Sequence, residues 1–257
     1  MKTLFRKVTE RFALREHRRY WQRAAESDRA TSLSDIAELR RKARKSKAQL
    51  EAFDVFAAQR LSLPAIDSNA MRKPQRTTWA YRPGLWAAPL SSYGATSVKN
   101  KTSLNPETTI FHDSKINEIT LRQIRNRNRK FLSPYALHMD VLTFGGSYLS
   151  VMLNMPSDIL KNLSKDTLLR VNLLMEIQFP TDVYVRLNLQ NGPNHQQVAQ
   201  QIDPLEPDIA LDFDLYSTDF SPENTTAVWL DILFDNPEMN QMILRDLCVF
   251  ARPRPSI

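Results

Sequence analysis

Apolar and polar residues alternate along the C-terminal half of the chain. In the segments 183–189 and 228–233 every second residue is apolar. A period of two is typical of a strand that buries one face. The pattern predicts eight to ten strands, at 109–111, 116–124, 137–142, 148–154, 168–177, 183–189, 198–202, 209–215, 227–234 and 242–250.

Turn-forming residues separate these strands, and no helical pattern lies between them. Clear turns are Asn-Gly-Pro-Asn at 191–194, Ser-Pro-Glu-Asn at 221–224 and Asp-Asn-Pro at 235–237. Successive strands without crossover helices pair antiparallel. We therefore predict a mainly β fold, with an antiparallel β-sandwich of the jelly-roll type over residues 108–257.

The N-terminal residues follow a helical period instead. Residues 3–25 predict a basic amphipathic helix. A second helix begins with Ser32 or Ser34 as its N-cap and ends at Pro64. Its spacings of three and four form a coiled-coil seam of Ile36, Leu39, Ala43, Ser46, Leu50, Phe53 and Ala57. We expect a basic helical hairpin over residues 1–62, which localises the protein or makes it a homo-oligomer.

Residues 63–107 show no sustained period. Five prolines interrupt the segment, yet Trp79, Tyr81, Leu85, Trp86 and Leu90 are too hydrophobic for a free linker. We expect an extended arm that lies on the surface of the sandwich and is held there by its aromatic residues.

Charge divides the chain at about its midpoint. Residues 1–130 carry 28 Lys and Arg against 12 Asp and Glu, whereas residues 131–257 carry 7 against 16. We expect some of the positive charge of residues 63–130 to neutralise the acidic sandwich. The cations of the helices form either solvated faces or a contact with an anionic surface, for which the candidates are Arg6, Lys7, Arg11, Arg15, Arg18, Arg19, Arg40, Arg41, Lys42, Arg44, Lys45 and Lys47.

Composition excludes several kinds of site. One cysteine, Cys248, permits neither an internal disulfide nor a thiolate zinc cluster, and its apolar surroundings favour a buried side chain. Five glycines provide no phosphate-binding loop, and the four histidines lack metal-ligand spacing. We therefore expect no catalytic residue, metal or cofactor. Without a secretory signal or a long apolar run, the expected location is the cytoplasm, including the inner face of the membrane.

The best candidate for a ligand surface is one polar strand face. Arg186, Asn188 and Gln190 alternate along a strand and share a face with Tyr184. Such a face with an aromatic ring nearby is how sandwich modules usually hold sugars, although an ordinary solvated face is the alternative. The following loop adds three further candidate ligand-binding residues, and Trp229 is either a second aromatic ring near this face or a core residue. These loop residues are Asn191, Asn194 and His195.

Two resemblances to known protein families add to these predictions. The final strand, Leu-Arg-Asp-Leu-Cys-Val-Phe at 244–250, resembles that of galactose-binding-like and other carbohydrate-binding jelly rolls, which implies a sandwich fold. The segments 110–113, 119–126, 238–241 and 244–247 resemble an uncharacterised bacterial family, a domain of unknown function. This second resemblance covers most of residues 70–255 and implies no activity.

These observations favour a non-enzymatic binding or adaptor protein whose sandwich recognises a glycan or a protein surface. One alternative is a peripheral membrane protein that acts through its basic amphipathic N-terminus. Another is a jelly-roll hydrolase that acts on glycans. Sequence-specific nucleic-acid binding is not expected, because the chain carries no DNA-binding motif.

Overall fold

The alternating segments form two antiparallel sheets packed face to face, which confirms the predicted sandwich. The computed structural model describes residues 2–26, 32–65, 71–90, 92, 94–128 and 130–255. Within the two long helices, the side chains of residues 2–12, 14, 51, 52, 54–56 and 58–65 lie outside this description. The chain forms two compact units, residues 1–54 and 55–257.

One sheet has seven strands. Six of them lie in the order β11-β8-β13-β6-β5-β2, and β1 pairs with the second half of β13. All pairs are antiparallel, and β13 carries an irregularity between Leu244 and Asp246. The strands are β1 (Trp79–Tyr81), β2 (Gly94–Thr96), β5 (Asn117–Arg125), β6 (Tyr135–Phe144), β8 (Thr167–Ile177), β11 (Asp208–Asp214) and β13 (Asn240–Pro253).

The other sheet has six strands in the order β10-β9-β12-β7-β4-β3. Gly192, at φ +56°, lies in the turn that joins β9 to β10, where a residue without a side chain adopts this conformation at low cost. The strands are β3 (Thr102–Ser103), β4 (Thr108–His112), β7 (Tyr148–Asn154), β9 (Val183–Asn191), β10 (Asn194–Ile202) and β12 (Thr225–Asp235). Short 3-10 helices occur at Ser157–Asn162 and Leu215–Ser217.

The core lies between the two sheets and follows the predicted alternation. On β9, for example, Val183, Val185, Leu187 and Leu189 are fully buried. Their neighbours along the strand therefore face outward from the sandwich. This parity places the polar strand face of β9 on the outer surface of the six-stranded sheet.

The segment predicted as a surface arm is instead part of the sandwich. A short helix, α3 (Gly84–Ala87), places Leu85 and Trp86 in the core, where both are fully buried. The Trp86 indole N–H donates to the Leu244 carbonyl at 2.9 Å, and the Gln123 amide donates to the Leu85 and Ala88 carbonyls at 2.7 Å each. The predicted boundaries at 62 and 107 therefore do not match the compact units of the structure.

Two helices precede the sandwich strands, as the sequence predicts. They are α1 (Lys2–Ala25) and α2 (Leu33–Ala65). Ser32 is the N-cap of α2, since its hydroxyl accepts from the Asp35 N–H at 3.2 Å. In the seam, Ile36 and Leu50 are 45% and 61% exposed, so pairing of the two helices as a hairpin stays a prediction. No helix among the described residues is long and apolar enough to cross a membrane.

Candidate functional site

The outer face of the six-stranded sheet combines charged, polar and aromatic side chains. Cross-strand register places Asp231 opposite Arg186 and Trp229 opposite Asn188. On the other side of β12, Ser150 of β7 lies opposite Leu233. Residues on the same face of paired strands lie close enough for direct contact.

A charge network is built into this face. Arg186 donates through Nε and Nη2 to Oδ2 of Asp231 at 3.0 and 2.9 Å. Asn188 Nδ2 donates to the same oxygen at 2.8 Å. Asp231 is only 4% exposed, and a buried carboxylate is tolerated when it is paired and hydrogen-bonded. The network therefore fixes the positions of the Arg186 and Asn188 side chains.

Two buried polar atoms on the face have no hydrogen-bond partner among the described residues. They are Asn188 Oδ1 and Ser150 Oγ. Asn188 is 1% exposed and Ser150 is 3% exposed. Leaving such a group without a partner costs about 1–3 kcal/mol, and buried polar groups in native proteins are nearly always bonded. The described residues therefore leave the hydrogen-bonding capacity of both atoms unused.

An aromatic pair stands beside these polar groups. The rings of His195 and Trp229 stack with their centroids 4.9 Å apart and their planes at 9°. Their strands, β10 and β12, lie on either side of β9, so the two rings meet across that strand. Aromatic rings provide a flat apolar contact area with low conformational freedom.

These side chains surround one concavity, which we call the sheet-face cavity. Its volume is about 490 Å³, within the usual range for ligand sites. It combines the charge network, the aromatic pair and an apolar wall. The lining residues are Phe111, Tyr148, Ser150, Met152, Arg186, Asn188, His195, Gln197, Trp229, Asp231 and Leu233.

The predicted ligand-binding residues separate into two groups. Arg186, Asn188 and His195 line the sheet-face cavity. Tyr184 shares the outer face, but it is not among the lining residues of that cavity. Gln190 instead braces the β9–β10 turn, since its Nε2 donates to the Gly192 and Asn194 carbonyls.

A smaller hollow beside that turn is lined by the two remaining predicted residues, Asn191 and Asn194. His195 lines this hollow as well as the sheet-face cavity, and the volume of the hollow is about 410 Å³. Asn191 is already engaged there, because its Nδ2 donates to the Asp219 carbonyl at 3.1 Å and its Oδ1 accepts from the Thr225 hydroxyl. This engagement gives Asn191 a structural role.

Sequence reasoning missed several residues of the cavity. The sequence leaves Trp229 open between the core and the polar face, and the structure places it half-buried on the outer face, in the same parity as Asp231. The sequence signal for this position is that Trp229 lies two residues from Asp231 on β12. A carboxylate on a strand of a sandwich faces outward, so Trp229 faces outward too. Ser150 and Tyr148 of β7 meet Phe111 of β4 and the residues of β12 only through pairing of distant strands, which no local pattern reveals.

The predicted cations of the N-terminal helices are exposed wherever their side chains are described. On α1 these are Arg15, Arg18 and Arg19, and Arg6, Lys7 and Arg11 lie outside the described side chains. On α2, Glu38 bonds to Lys42 at 2.7 Å, and this hydrogen bond raises the pKa of the Lys42 ammonium. The other exposed cations of α2 are Arg40, Arg41, Arg44, Lys45 and Lys47.

In the part of the chain that the structure describes, no three His, Cys, Asp or Glu side chains come together as a metal site. Cys248 is buried at 5% exposure, which agrees with its assignment as a buried side chain.

Comparison with known families covers the chain from end to end. The model of a family of unknown function, DUF6478, matches residues 1–257. The chain belongs to this family. The resemblance to an uncharacterised family is thereby confirmed, and no curated protein matches the chain.

Several solved structures are similar to the sandwich at low sequence identity. The family 11 carbohydrate-binding module from Clostridium thermocellum, in complex with a mixed-linked tetrasaccharide, matches at a TM-score of 0.38 and 8% identity over 63% of this chain and 98% of its own. The CBM22-1 xylan-binding domain of Xyn10C from Paenibacillus barcinonensis matches at 0.36 and 10%, over 63% and 94%. The enzymatically active domain of tailspike protein 4 of bacteriophage CBA120 matches at 0.40 and 11%, over 60% and 21%. At such identities the likeness concerns the fold alone.

Proposed function

We propose that the protein is a glycan-binding protein and that the sheet-face cavity is its binding site. The observation that carries the proposal is the pair of buried atoms without partners, Asn188 Oδ1 and Ser150 Oγ, beside a stacked aromatic pair. A sugar ring presents hydroxyl groups at its edge and C–H groups on its faces. Its hydroxyls can donate hydrogen bonds to the two polar atoms, and its C–H faces can pack against the rings of His195 and Trp229.

The charge network supports the same ligand class. Arg186 and Asp231 are held in place before any ligand arrives, which lowers the entropic cost of binding. A fixed guanidinium and carboxylate bond readily to neighbouring hydroxyls of one sugar. Hydrolysis is not proposed, because Asp231 is the one carboxylate among the described lining residues and glycosidases use two.

A glycan array probed with the full chain tests this proposal. We expect saturable binding to a subset of glycans, and we expect Trp229→Leu to reduce the signal at least tenfold by removing the stacking surface. His195→Ala, at an exposed position, should weaken binding several-fold without affecting folding.

The matched control is Tyr216→Ala, which removes an aromatic ring that is 61% exposed outside the cavity. This variant should bind as the wild type does. Absence of any glycan signal from the folded wild type, or equal signals from all four proteins, contradicts the proposal.

The basic helices favour a second function, contact with an anionic membrane surface. On α2, Arg40, Arg41 and Arg44 line a shallow groove with Leu33 and Ile36, which are 86% and 45% exposed. Cations beside exposed apolar side chains suit the headgroup region of a membrane, where each cation contributes about 1 kcal/mol.

Vesicle flotation tests this second function. The full chain should float with vesicles that contain phosphatidylserine and remain in the dense fraction with neutral vesicles. Leu33→Ser combined with Arg40→Ser and Arg44→Ser should reduce the floated fraction at least fivefold, because apolar and electrostatic contributions are both lost. Lys99→Ser with Lys101→Ser, exposed cations of the sandwich, serves as the control. Failure of the wild type to float overturns this function and leaves glycan binding unaffected.

A further inference from the structure

A second cavity lies on the outer face of the seven-stranded sheet, on the other side of the sandwich from the proposed glycan site. We call it the back-sheet cavity. Its volume is about 520 Å³, again within the range of ligand sites. The lining residues are Arg72, Arg82, Lys130, Phe131, Leu132, Asn172, Leu174, Pro207, Asp208, Asp246, Cys248 and Phe250.

The floor of this cavity comes from β13 and β8. Asp246, Cys248 and Phe250 alternate along β13, and their inward neighbours Leu247 and Val249 are fully buried. The pairing register places Asn172 opposite Cys248 and Leu174 opposite Asp246. The floor therefore carries polar and apolar side chains in adjacent positions.

Two of the polar floor groups are already engaged with one another and with Arg82. Arg82 donates through Nε and Nη2 to the two carboxylate oxygens of Asp246 at 2.9 and 2.8 Å. The Cys248 sulfur lies 3.7 Å from Asp246 Oδ1. Burial first, and then the nearby Asp246 charge, raise the pKa of the Cys248 thiol to about 12, so it stays protonated.

Asn172 behaves differently from these engaged groups. Its Oδ1 is buried and accepts no hydrogen bond from the described residues. An amide oxygen in this position is an acceptor that lacks a donor, and leaving it so is costly. A bound molecule with an N–H or O–H group at its inner end would supply that donor.

The walls are apolar and held in place. Phe131 lies on the loop between β5 and β6, and the Arg245 guanidinium stands 5.3 Å from the centre of its ring. In the same loop, Asn126 Nδ2 donates to the Ser133 and Arg245 carbonyls at 2.9 Å each. These bonds tie the loop to β13, so the Phe131 wall is formed before any ligand binds.

The rim is charged. Arg72 and Lys130 are exposed there, beside the single exposed carboxylate of Asp208. Two cations against one anion make the entrance attractive to a negatively charged group. From the inside outward, the cavity therefore presents an acceptor, an apolar middle and a cationic rim.

We propose that the back-sheet cavity binds a small, mainly apolar organic anion that carries a hydrogen-bond donor at its buried end. The donor bonds to Asn172 Oδ1, the apolar body packs against Phe131 and Phe250, and the anionic group faces Arg72 and Lys130. This site is independent of the proposed glycan site, which lies on the other sheet.

Titration of the full chain with three indole probes tests the proposal. Indole-3-acetate carries a ring N–H, an apolar body and a carboxylate, and it should bind with saturable 1:1 stoichiometry. 1-Methylindole-3-acetate lacks the donor and should bind about tenfold more weakly, the usual effect of one lost buried hydrogen bond. Tryptamine replaces the carboxylate by an ammonium group and should bind at least tenfold more weakly.

Variants identify the groups that are responsible. Arg72→Ala combined with Lys130→Ala, at two exposed positions, should weaken the binding of indole-3-acetate at least fivefold. Lys99→Ala combined with Lys101→Ala should leave that binding unchanged. Asn172→Leu should remove the preference for indole-3-acetate over its methylated analogue. The proposal is overturned if the wild type shows no saturable binding, if methylation has no effect, or if the rim variant binds as the wild type does. Loss of glycan binding in Trp229→Leu leaves these outcomes unchanged.

Discussion

At the scale of single residues, the sheet-face cavity is defined by polar atoms that the fold leaves without partners. Ser150 Oγ is the simplest case, because the hydroxyl is buried on the outer face of β7 and has no bonding partner within the described chain. A buried polar atom without a partner lowers the stability of the free protein. It forms a stabilising hydrogen bond only when a ligand is bound. The fold keeps this loss of stability at a surface cavity, which is expected of a site where a ligand binds.

Replacement of Ser150 separates stability from binding. Ser150→Ala removes the buried hydroxyl, so the free energy of unfolding should rise by about 1 kcal/mol. Thr108→Val is the matched control, since Thr108 Oγ1 is also buried without a partner in the described structure but faces the core. It should stabilise the protein to a similar degree. Urea unfolding measures both values, and a loss of more than 1 kcal/mol in Ser150→Ala would show that the hydroxyl is already bonded.

The sequence correctly predicts the orientation of side chains where the alternation along one strand is sufficient to assign it. The alternation along β9 correctly placed Arg186 and Asn188 on one outward face. It could not place Trp229, because β12 carries apolar residues on both faces and a large aromatic ring fits either. It could not find Phe111 or Ser150, since the pairing of β4 with β7 joins residues that are far apart in the sequence.

At the scale of elements, ion pairs between neighbouring strands fasten the edge of the seven-stranded sheet. Asp212 of the edge strand β11 lies opposite Arg170 of β8 and accepts from its Nε at 2.9 Å. Arg252 of β13 donates to the same carboxylate at 2.9 Å. Burial opposes ionisation of Asp212, but the hydrogen bonds and charges of Arg170, followed by those of Arg252, outweigh it and lower the pKa of the carboxyl.

This lowered pKa gives a pH-dependent contribution to stability. Because the folded pKa of Asp212 lies below the unfolded value of about 3.9, the contribution is complete above that value and is lost as the pH falls through the folded pKa. Asp212→Asn should therefore lower the free energy of unfolding by about 1 kcal/mol at pH 7. The difference from the wild type should shrink as the pH falls below the unfolded value and vanish once the carboxyl is protonated in the folded state as well.

Urea unfolding at pH 7, 5, 3 and 2 measures this difference. Asp208→Asn is the control on the same strand, since Asp208 makes no ion pair within the described residues. A difference between wild type and Asp212→Asn that stays constant from pH 7 to pH 2 rules out this account of the strand edge.

Element-scale prediction failed mainly between residues 71 and 103. Strand alternation and helix seams have periods that can be read from sequence, and α1, α2 and the long strands were placed correctly. The segment around α3 has no regular spacing of apolar residues. Its contacts with the core are made to individual residues that lie far away in the sequence. Trp86 bonds to a carbonyl in β13, and Gln123 of β5 bonds to the carbonyls around α3.

At the scale of the whole molecule, the division of charge along the chain reflects pairing within the fold. Arg82 pairs with Asp246, and Arg122 pairs with Asp140 at 2.8 Å, so basic residues of 63–130 meet acidic residues of 131–257. The Arg82 side chain is 1% exposed, and breaking such a buried pair costs about 3–5 kcal/mol. The described basic side chains of the helices, by contrast, are exposed, and two of them, Arg19 and Lys42, pair with glutamates of their own helices.

Two opposite faces of the sandwich thus carry the proposed binding sites, a polar and aromatic one and an apolar one with a cationic rim. Their chemistry differs because outward positions on the six-stranded sheet hold amides, a guanidinium and rings. Those at the back-sheet cavity hold apolar side chains beside one amide and the carboxylate of Asp246, which is paired with Arg82. Glycan recognition by the first face is the central claim.

A glycan array with the wild type, Ser150→Ala and Thr108→Val tests that claim most directly. The wild type and Thr108→Val should bind the same glycans with similar signals. Ser150→Ala, which is folded and at least as stable, should lose about tenfold in signal, because a buried hydrogen bond to the sugar is missing. Undiminished glycan binding by Ser150→Ala, or no binding by the folded wild type, contradicts the account.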